Sequence, residues 1–119
     1  MTALIIDDEI DICNLLSSLL IRQNIETHFV NFISTAVAAI EKYKPELIFL
    51  DNRLSDGRGI DFVEYIKENF PMAKLVMMTA YDTDADKNLA LSKGVDYFIS
   101  KPFSREKIYQ IIQELINLK

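Results

Sequence analysis

A single cysteine, Cys13, is all this chain of 119 residues carries. No disulfide can therefore close within it, which suits a reducing compartment, and a lone cysteine at a helical position reads as a small hydrophobe. Glycine and proline are scarce, three of each, while half the residues are apolar. That balance excludes a disordered or fibrous chain. Long hydrophobic runs are missing as well, since none approaches the ~20 residues a membrane helix needs. The first strand begins about two residues after Met1, which leaves no room for a signal peptide and makes the cytoplasm the expected location. Positive charge is also short. Thirteen Lys and Arg against eighteen Asp and Glu give a net charge of −5, which argues against direct nucleic-acid binding and hints at an acidic cluster able to hold a cation. The lone histidine, His28, falls away from the chemistry described below and is expected to be structural or on the surface.

What remains fits one domain, residues 1–119, long enough to bury a core. Its centre is the run Glu46-Leu47-Ile48-Phe49-Leu50-Asp51, entered through Pro45. Four large apolar residues ended by an acid read as a strand buried on both faces. The stretch Asn52 to Gly59 follows as a polar, glycine-bearing loop without periodicity. Earlier, Ala3–Ile6 reads as a parallel strand running into Asp7-Asp8-Glu9. Ile12, Leu15, Leu16, Leu19 and Leu20 then recur at helical spacing over Ile10 to Gln23. Glu26–Val30 is a strand at or near an edge, and Ser34–Tyr43 a helix stopped before Pro45. Later, Ile60–Asn69 presents one helical face and Leu75–Met78 a buried strand that ends at Thr79-Ala80. Asp82 or Thr83 caps a helix that stops at Gly94. Tyr97–Ile99 is a fifth strand, and Ser104 caps a last helix whose Ile108, Ile111, Ile112, Leu115 and Ile116 face the core. Strands alternating with helices five times predict an α/β fold, a doubly wound five-stranded parallel sheet with right-handed crossovers.

Ligands of such sheets bind outside the carboxyl ends of the strands. Those ends deliver Asp7 and Asp8, Asp51, Thr79 and Lys101 to one rim. Taken singly, each has a bland reading: Asp7-Asp8 or Asp51 as caps, Thr79 as a helix start, Lys101 as a solvated charge. Together they suggest chemistry. Carboxylates packed at ~5 Å repel by roughly 3 kcal/mol per pair at an effective dielectric of ~20, so the cluster either raises a pKa or recruits a cation. All-oxygen ligands with open positions suit Mg²⁺, or Mn²⁺ in its place. A carboxylate beside such an ion is a competent nucleophile toward phosphorus. In that scheme Asp51 reacts, while Lys101 and the Thr79 hydroxyl each meet a phosphoryl oxygen.

The segments Leu4-Ile-Ile-Asp-Asp-Glu9, Leu50-Asp-Asn-Arg-Leu-Ser-Asp-Gly57, Met78-Thr-Ala80 and Gly94-Val-Asp-Tyr-Phe-Ile-Ser-Lys-Pro-Phe103 resemble the receiver domain of two-component response regulators, over the whole chain. The resemblance implies the flavodoxin-like strand order 2-1-3-4-5, with Asp51 accepting a phosphoryl group from a histidine kinase or a histidine phosphotransfer protein. It implies that Asp8, the Asp51 side chain and the backbone carbonyl of Arg53 ligate Mg²⁺, with Asp7 acting through water. Thr79 and Phe98 become the switch, Lys101 meets the phosphoryl group, and Lys101-Pro102 is a cis peptide. Such a domain is no classical enzyme, though it catalyses its own phosphorylation and dephosphorylation. Its output runs through the face built from the fourth helix, fifth strand and fifth helix, toward an effector domain, an output protein or a phosphorylation-dependent homodimer.

Three departures stand out. Ser55 replaces the family's frequent proline and is expected to loosen the loop after Asp51. Phe98 lacks a tyrosine's hydroxyl, and Arg53 and Tyr81 flank the approach of attacking water. A pseudo-receiver that is never phosphorylated is the main alternative reading. A small-molecule phosphatase with an aspartate nucleophile is disfavoured by Arg53, where a second acid is usual. A flavin-binding domain is disfavoured by the acidic first loop. The cognate kinase, the output, the oligomeric state and the phosphorylation lifetime leave no mark in the sequence.

Overall fold

The structure is a computed structural model, described for residues 1–80 and 83–117 and, for side chains, through residue 115. Five strands form one sheet: β1 (Thr2–Ile6), β2 (Glu26–Val30), β3 (Leu47–Asp51), β4 (Lys74–Thr79) and β5 (Tyr97–Ser100). They pair in parallel in the order β2-β1-β3-β4-β5, the doubly wound arrangement that the sequence predicts. The helices are α1 (Ile10–Ile21), α2 (Ile33–Tyr43), α3 (Val63–Asn69), α4 (Asp84–Ser92) and α5 (Arg105–Asn117).

Strand alternation splits the core into two layers. Ala3 and Ile5, Leu47 and Phe49, and Val76 and Met78 face α1 and α5, packing on Cys13, Leu16, Leu20, Ile108 and Ile111. Leu4 and Ile6, Ile48 and Leu50, and Leu75 and Met77 face the other way, onto Ala36 and Ile40 of α2, Val63 and Ile66 of α3, and Ala90 of α4. All five residues of β3 are buried, as a central parallel strand requires. Cys13 is fully buried, and burial of the thiol pushes its pKa up to about 11; it packs as a hydrophobe. Met77 and Met78 are core as well.

Several local expectations change. Leu15 is 48 % exposed, because Cys13 rather than Leu15 completes the inward face of α1. The Ile60–Asn69 segment opens as a 3₁₀ turn over Gly59–Phe62 and becomes α-helical only at Val63. The polar loop after Asp51 contains a small antiparallel hairpin, Arg53–Leu54 against Gly57–Arg58. Thr83, not Asp82, is the observed cap of α4, its hydroxyl accepting from the Asp86 N–H at 3.1 Å; Asp82 lies outside the described residues, as do Tyr81 and the side chain of Ile116. Ser104 Oγ accepts from the Lys107 N–H at 3.1 Å, as a cap of α5 should. Gly94 ends α4 with φ of +111°, a conformation that disfavours other residues. His28 sits on edge strand β2, stacked on Tyr43 at 3.6 Å between ring centroids, and so is structural.

Candidate functional site

Three polar or charged residues are buried among the described residues: Asp7, Asp51 at 4 % exposure and Thr79 at 2 %. All three lie at the carboxyl ends of strands. A buried polar group carries more information than a buried apolar one, and here every such group falls on one rim. The strands hold them there by backbone pairing that continues past their ends. Asp7 N–H donates to Val30 O at 3.1 Å, Asn52 N–H to Met78 O at 3.0 Å and Lys101 N–H to Thr79 O at 2.7 Å.

Lys101 joins the group from beyond β5. Its Nζ lies 2.8 Å from Asp7 Oδ2, 3.2 Å from Glu9 Oε1 and 3.3 Å from Asp51 Oδ1. The peptide that follows it, Lys101-Pro102, is cis. Burial and the charge of Asp7 push the Asp51 carboxyl up to a pKa of about 6, against the opposing pull of Lys101 and of a hydrogen bond from the Arg53 backbone. Burial pulls the Lys101 ammonium down, but its contacts with Asp7, Asp51 and Glu9 outweigh that and hold its pKa at about 12. One cation thus stands among several acids. Single carboxylate oxygens of Asp7, Asp8, Glu9 and Asp51 all lie within 4.8 Å of one another. Asp7 Oδ2 is buried, and the Lys101 ammonium reaches it at 2.8 Å. An all-oxygen cluster with excess negative charge fits a hard divalent cation with open coordination positions.

The segment after Asp51 is held more firmly than a glycine-bearing loop without proline suggests. Gly59 N–H donates to Asn52 O at 2.9 Å, and Ile60 N–H donates to Asn52 Oδ1 at 3.0 Å. A Cβ on Gly59 would lie 2.3 Å from Asp51 O, so only glycine lets the chain pass this close. At the hairpin tip, Asp56 Oδ1 accepts from Ile33 N–H and Oδ2 from Ser34 N–H, both at 2.9 Å. Those two bonds hold the Asp56 carboxyl below the usual carboxylate range and tie the loop to the first turn of α2. The loop that carries Ser55 is thus braced by hydrogen bonds on both flanks. Sequence reasoning gave Glu9, Asn52, Asp56 and Gly59 no role; the Asp56-Gly57 pair was a legible turn signal, but its long-range capping of α2 was not.

Arg53 is exposed and lines a cavity of about 650 Å³ with Asn52, Leu54, Arg58 and Asp86. Phe98 is half-buried in the α2/α3/α4 layer, the face that Met77, two residues before Thr79, also joins. Tyr97 packs on the opposite layer and hydrogen-bonds Glu114, which raises its pKa. Tyr81 lies outside the described residues. A cavity of about 520 Å³, lined by Ile40, Pro45, Phe70 and Met72 together with Glu41, Lys44 and Glu46, sits at the amino ends of β3 and β4, away from the acidic rim.

The description "Response regulator receiver domain" fits residues 3–113. The chain is 32 % identical over 117 residues to the response regulator protein PilR of Pseudomonas aeruginosa, covering 98 % of this chain and 26 % of that protein. It is 31 % identical over 113 residues to the alkaline phosphatase synthesis transcriptional regulatory protein PhoP of Bacillus subtilis, covering 95 % and 47 %. The chain thus spans about a quarter to a half of these relatives. Among solved structures, a two-component response regulator from Clostridium difficile superposes with a TM-score of 0.93 at 30 % identity, over 98 % of this chain and 96 % of that one.

Proposed function

Because the chain belongs to the response regulator receiver domain family, we propose that it is a single receiver domain, residues 1–119, in which Asp51 accepts a phosphoryl group. The donor is a sensor histidine kinase or a histidine phosphotransfer protein, and the setting is the cytoplasm. The observation that carries this reading is that Asp7 and Asp51 both lie within 3.3 Å of the Lys101 ammonium nitrogen, at the rim where acids from separate strands converge. A pseudo-receiver has no need for that arrangement.

In this reading Asp8, the Asp51 carboxylate and the Arg53 carbonyl hold Mg²⁺ or Mn²⁺, and Asp7 acts through water. When bound there, such an ion would supply charge neutralisation for a phosphoryl group. The chain's own residues do the rest. Asp51 attacks, and Lys101 moves its ammonium from the Asp51 oxygen to a phosphoryl oxygen. The Thr79 hydroxyl takes another oxygen and draws the end of β4 inward, and Phe98 follows on the same face. The surface of α4, β5 and α5 changes with them and controls an effector domain, an output protein or a homodimer. Moving such a switch from 1:99 to 99:1 requires about 5.5 kcal/mol of differential stabilisation. A few charge-assisted hydrogen bonds at ~1.5–3 kcal/mol each supply that amount.

Incubation with acetyl phosphate and Mg²⁺ should label the protein as an acyl phosphate, seen by mass shift, and Asp51→Asn should abolish the label. Label retained by the variant would refute the assignment. Thr79→Ala should still be phosphorylated while partner binding no longer responds; a full response would remove threonine from the relay.

A further inference from the structure

The acids at the rim are not held alike. Asp7 and Asp51 are buried, whereas Asp8 is exposed and makes no hydrogen bond or ion pair among the described residues. One Asp8 oxygen nevertheless lies within 4.8 Å of oxygens of Asp7, Glu9 and Asp51. The backbone of the turn after β1 therefore aims it. Asp7 N–H bonds Val30 O at 3.1 Å, after which the chain leaves the sheet. Glu9 N–H then donates to Asp7 Oδ1 at 2.9 Å, and the Cys13 thiol, a weak donor, reaches Asp7 O at 3.3 Å. A third tie comes from across the fold, where Asn31 Nδ2 donates to the same carbonyl at 2.8 Å. Asn31 is half-buried and follows directly on edge strand β2. Its neighbours hold the other acid-bearing loop, since the Ile33 and Ser34 N–H groups donate to Asp56. Residues 31–34 thus reach from the turn of Asp7 and Asp8 to the loop after Asp51.

We propose that Asn31 is a positioning residue for the divalent ion: its grip on the Asp7 carbonyl keeps Asp8 beside Asp51, so ion affinity depends on a side chain outside the ligand set. This rests on the ion-holding part of the reading above. Ionised carboxylates gathered this closely repel one another, and a turn free to relax would carry the exposed Asp8 away. A carbonyl offers acceptors only, so a donor must face it, and the asparagine amide supplies one without adding charge. Cys13, the other donor on that carbonyl, is longer and weaker. Because the Asn31 bond is made before any ion arrives, the turn has less freedom left to lose on binding. Groups that orient metal ligands without touching the metal set roughly ten- to a hundredfold of the affinity.

Calorimetric titration of Mg²⁺ into the full chain reads that affinity directly, for wild type, Asn31→Ala, Asn31→Asp and the control Asn69→Ala. Asn69 Nδ2 donates to the Tyr65 carbonyl at 2.9 Å on α3, so the control loses the same kind of bond away from the rim. Circular dichroism verifies the fold. The titration reports on folded protein, so a loss of stability by itself leaves the dissociation constant unchanged. Asn31→Ala should raise that constant about tenfold or more, and Asn69→Ala should not change it. Asn31→Asp separates positioning from charge, since it keeps the side chain's size, replaces the donor with an acceptor and adds a negative charge near the cluster. Positioning predicts weaker binding, whereas general attraction of the cation predicts tighter binding. Tighter binding by Asn31→Asp, wild-type affinity in Asn31→Ala, or an equal loss in Asn69→Ala would overturn the proposal while leaving Asp51 as acceptor. Should one Asn31 variant not fold, the other decides; failure of both would make Asn31 a residue of the fold alone and end the proposal. Absence of Mg²⁺ binding by wild type would remove the ion-holding reading and the proposal with it.

Discussion

The two sides of the acidic rim, the acceptor side and the responding side of the proposed function, are built differently. On the acceptor side, every residue of β3 is buried, Asn52 is bonded from both Gly59 and Ile60, and Asp56 fastens the loop to α2. On the responding side, α4 buries only Ala90 among its nine residues, and its Leu89 and Leu91 are more than 40 % exposed. Local opening costs least where few apolar contacts are buried. The contrast teaches where each task is put. Phosphoryl transfer needs groups fixed to within a fraction of an ångström, whereas a switch needs an element whose two arrangements differ by only a few kcal/mol. Under the proposed function, one side supplies the first and the other side the second.

The sharpest way to break the comparison is to disturb each side by one small change. Gly59→Ala places a methyl against the Asp51 and Asn52 backbone, which cannot give as a side chain end can, and should cost about 3 kcal/mol in urea unfolding. Leu91→Ala on α4 should stay within about 0.5 kcal/mol. If the two losses are similar, the sides are not built differently. A somewhat smaller effect tests the charge stored on the acceptor side. The Asp51 carboxyl is pushed up to about 6, so between its ordinary value near 4 and 6 the folded state binds more proton than the unfolded state. Stability therefore falls as pH rises through that window and stays lower above it. In metal-free buffer, Asp51→Asn should match wild type near pH 4 and exceed it by roughly 2 kcal/mol at pH 7.5. A constant difference across the range would mean that the buried charge is not what strains the site. Saturating Mg²⁺ should shrink the gap by stabilising wild type, about 2.7 kcal/mol at one hundred times its dissociation constant.

Much of this was legible because the sheet obeys short-range rules. Apolar runs ended by acids mark buried parallel strands, and the parallel direction brings Asp7, Asp51, Thr79 and Lys101 to one rim without any knowledge of loops. What escaped was set by contacts across the fold. Asp56 reads as a turn residue, yet its carboxylate serves a helix more than twenty residues upstream. Gly59 reads as one more flexible position, and only its approach to Asp51 O reveals why a side chain is excluded. Periodicity also could not decide between Cys13 and Leu15 on α1, since both fit an inward stripe and packing on Phe49 and its neighbours selects Cys13. The ammonium of Lys101 was expected near phosphate. Its engagement with Glu9, reached from 92 residues away in sequence, depends on how the turn after β5 is folded.

The smallest effect probes the responding side alone. Thr83 is exposed and caps α4 through the Asp86 N–H. Thr83→Ala should cost about 1 kcal/mol of helix stability, partly offset by Asp84 and Asp86, whose charges favour the helix start. If α4 opens independently of the sheet, amide exchange should quicken in residues 84–92 while the amides of β1 and β3 keep their rates, because the acceptor side does not unfold with it. The same substitution should then shift the switch by lowering the cost of rearranging α4, so that partner binding responds to less phosphorylation. Equal acceleration in α4 and β3 would mean that the two sides unfold as one unit, and the division of labour between them would have to be abandoned.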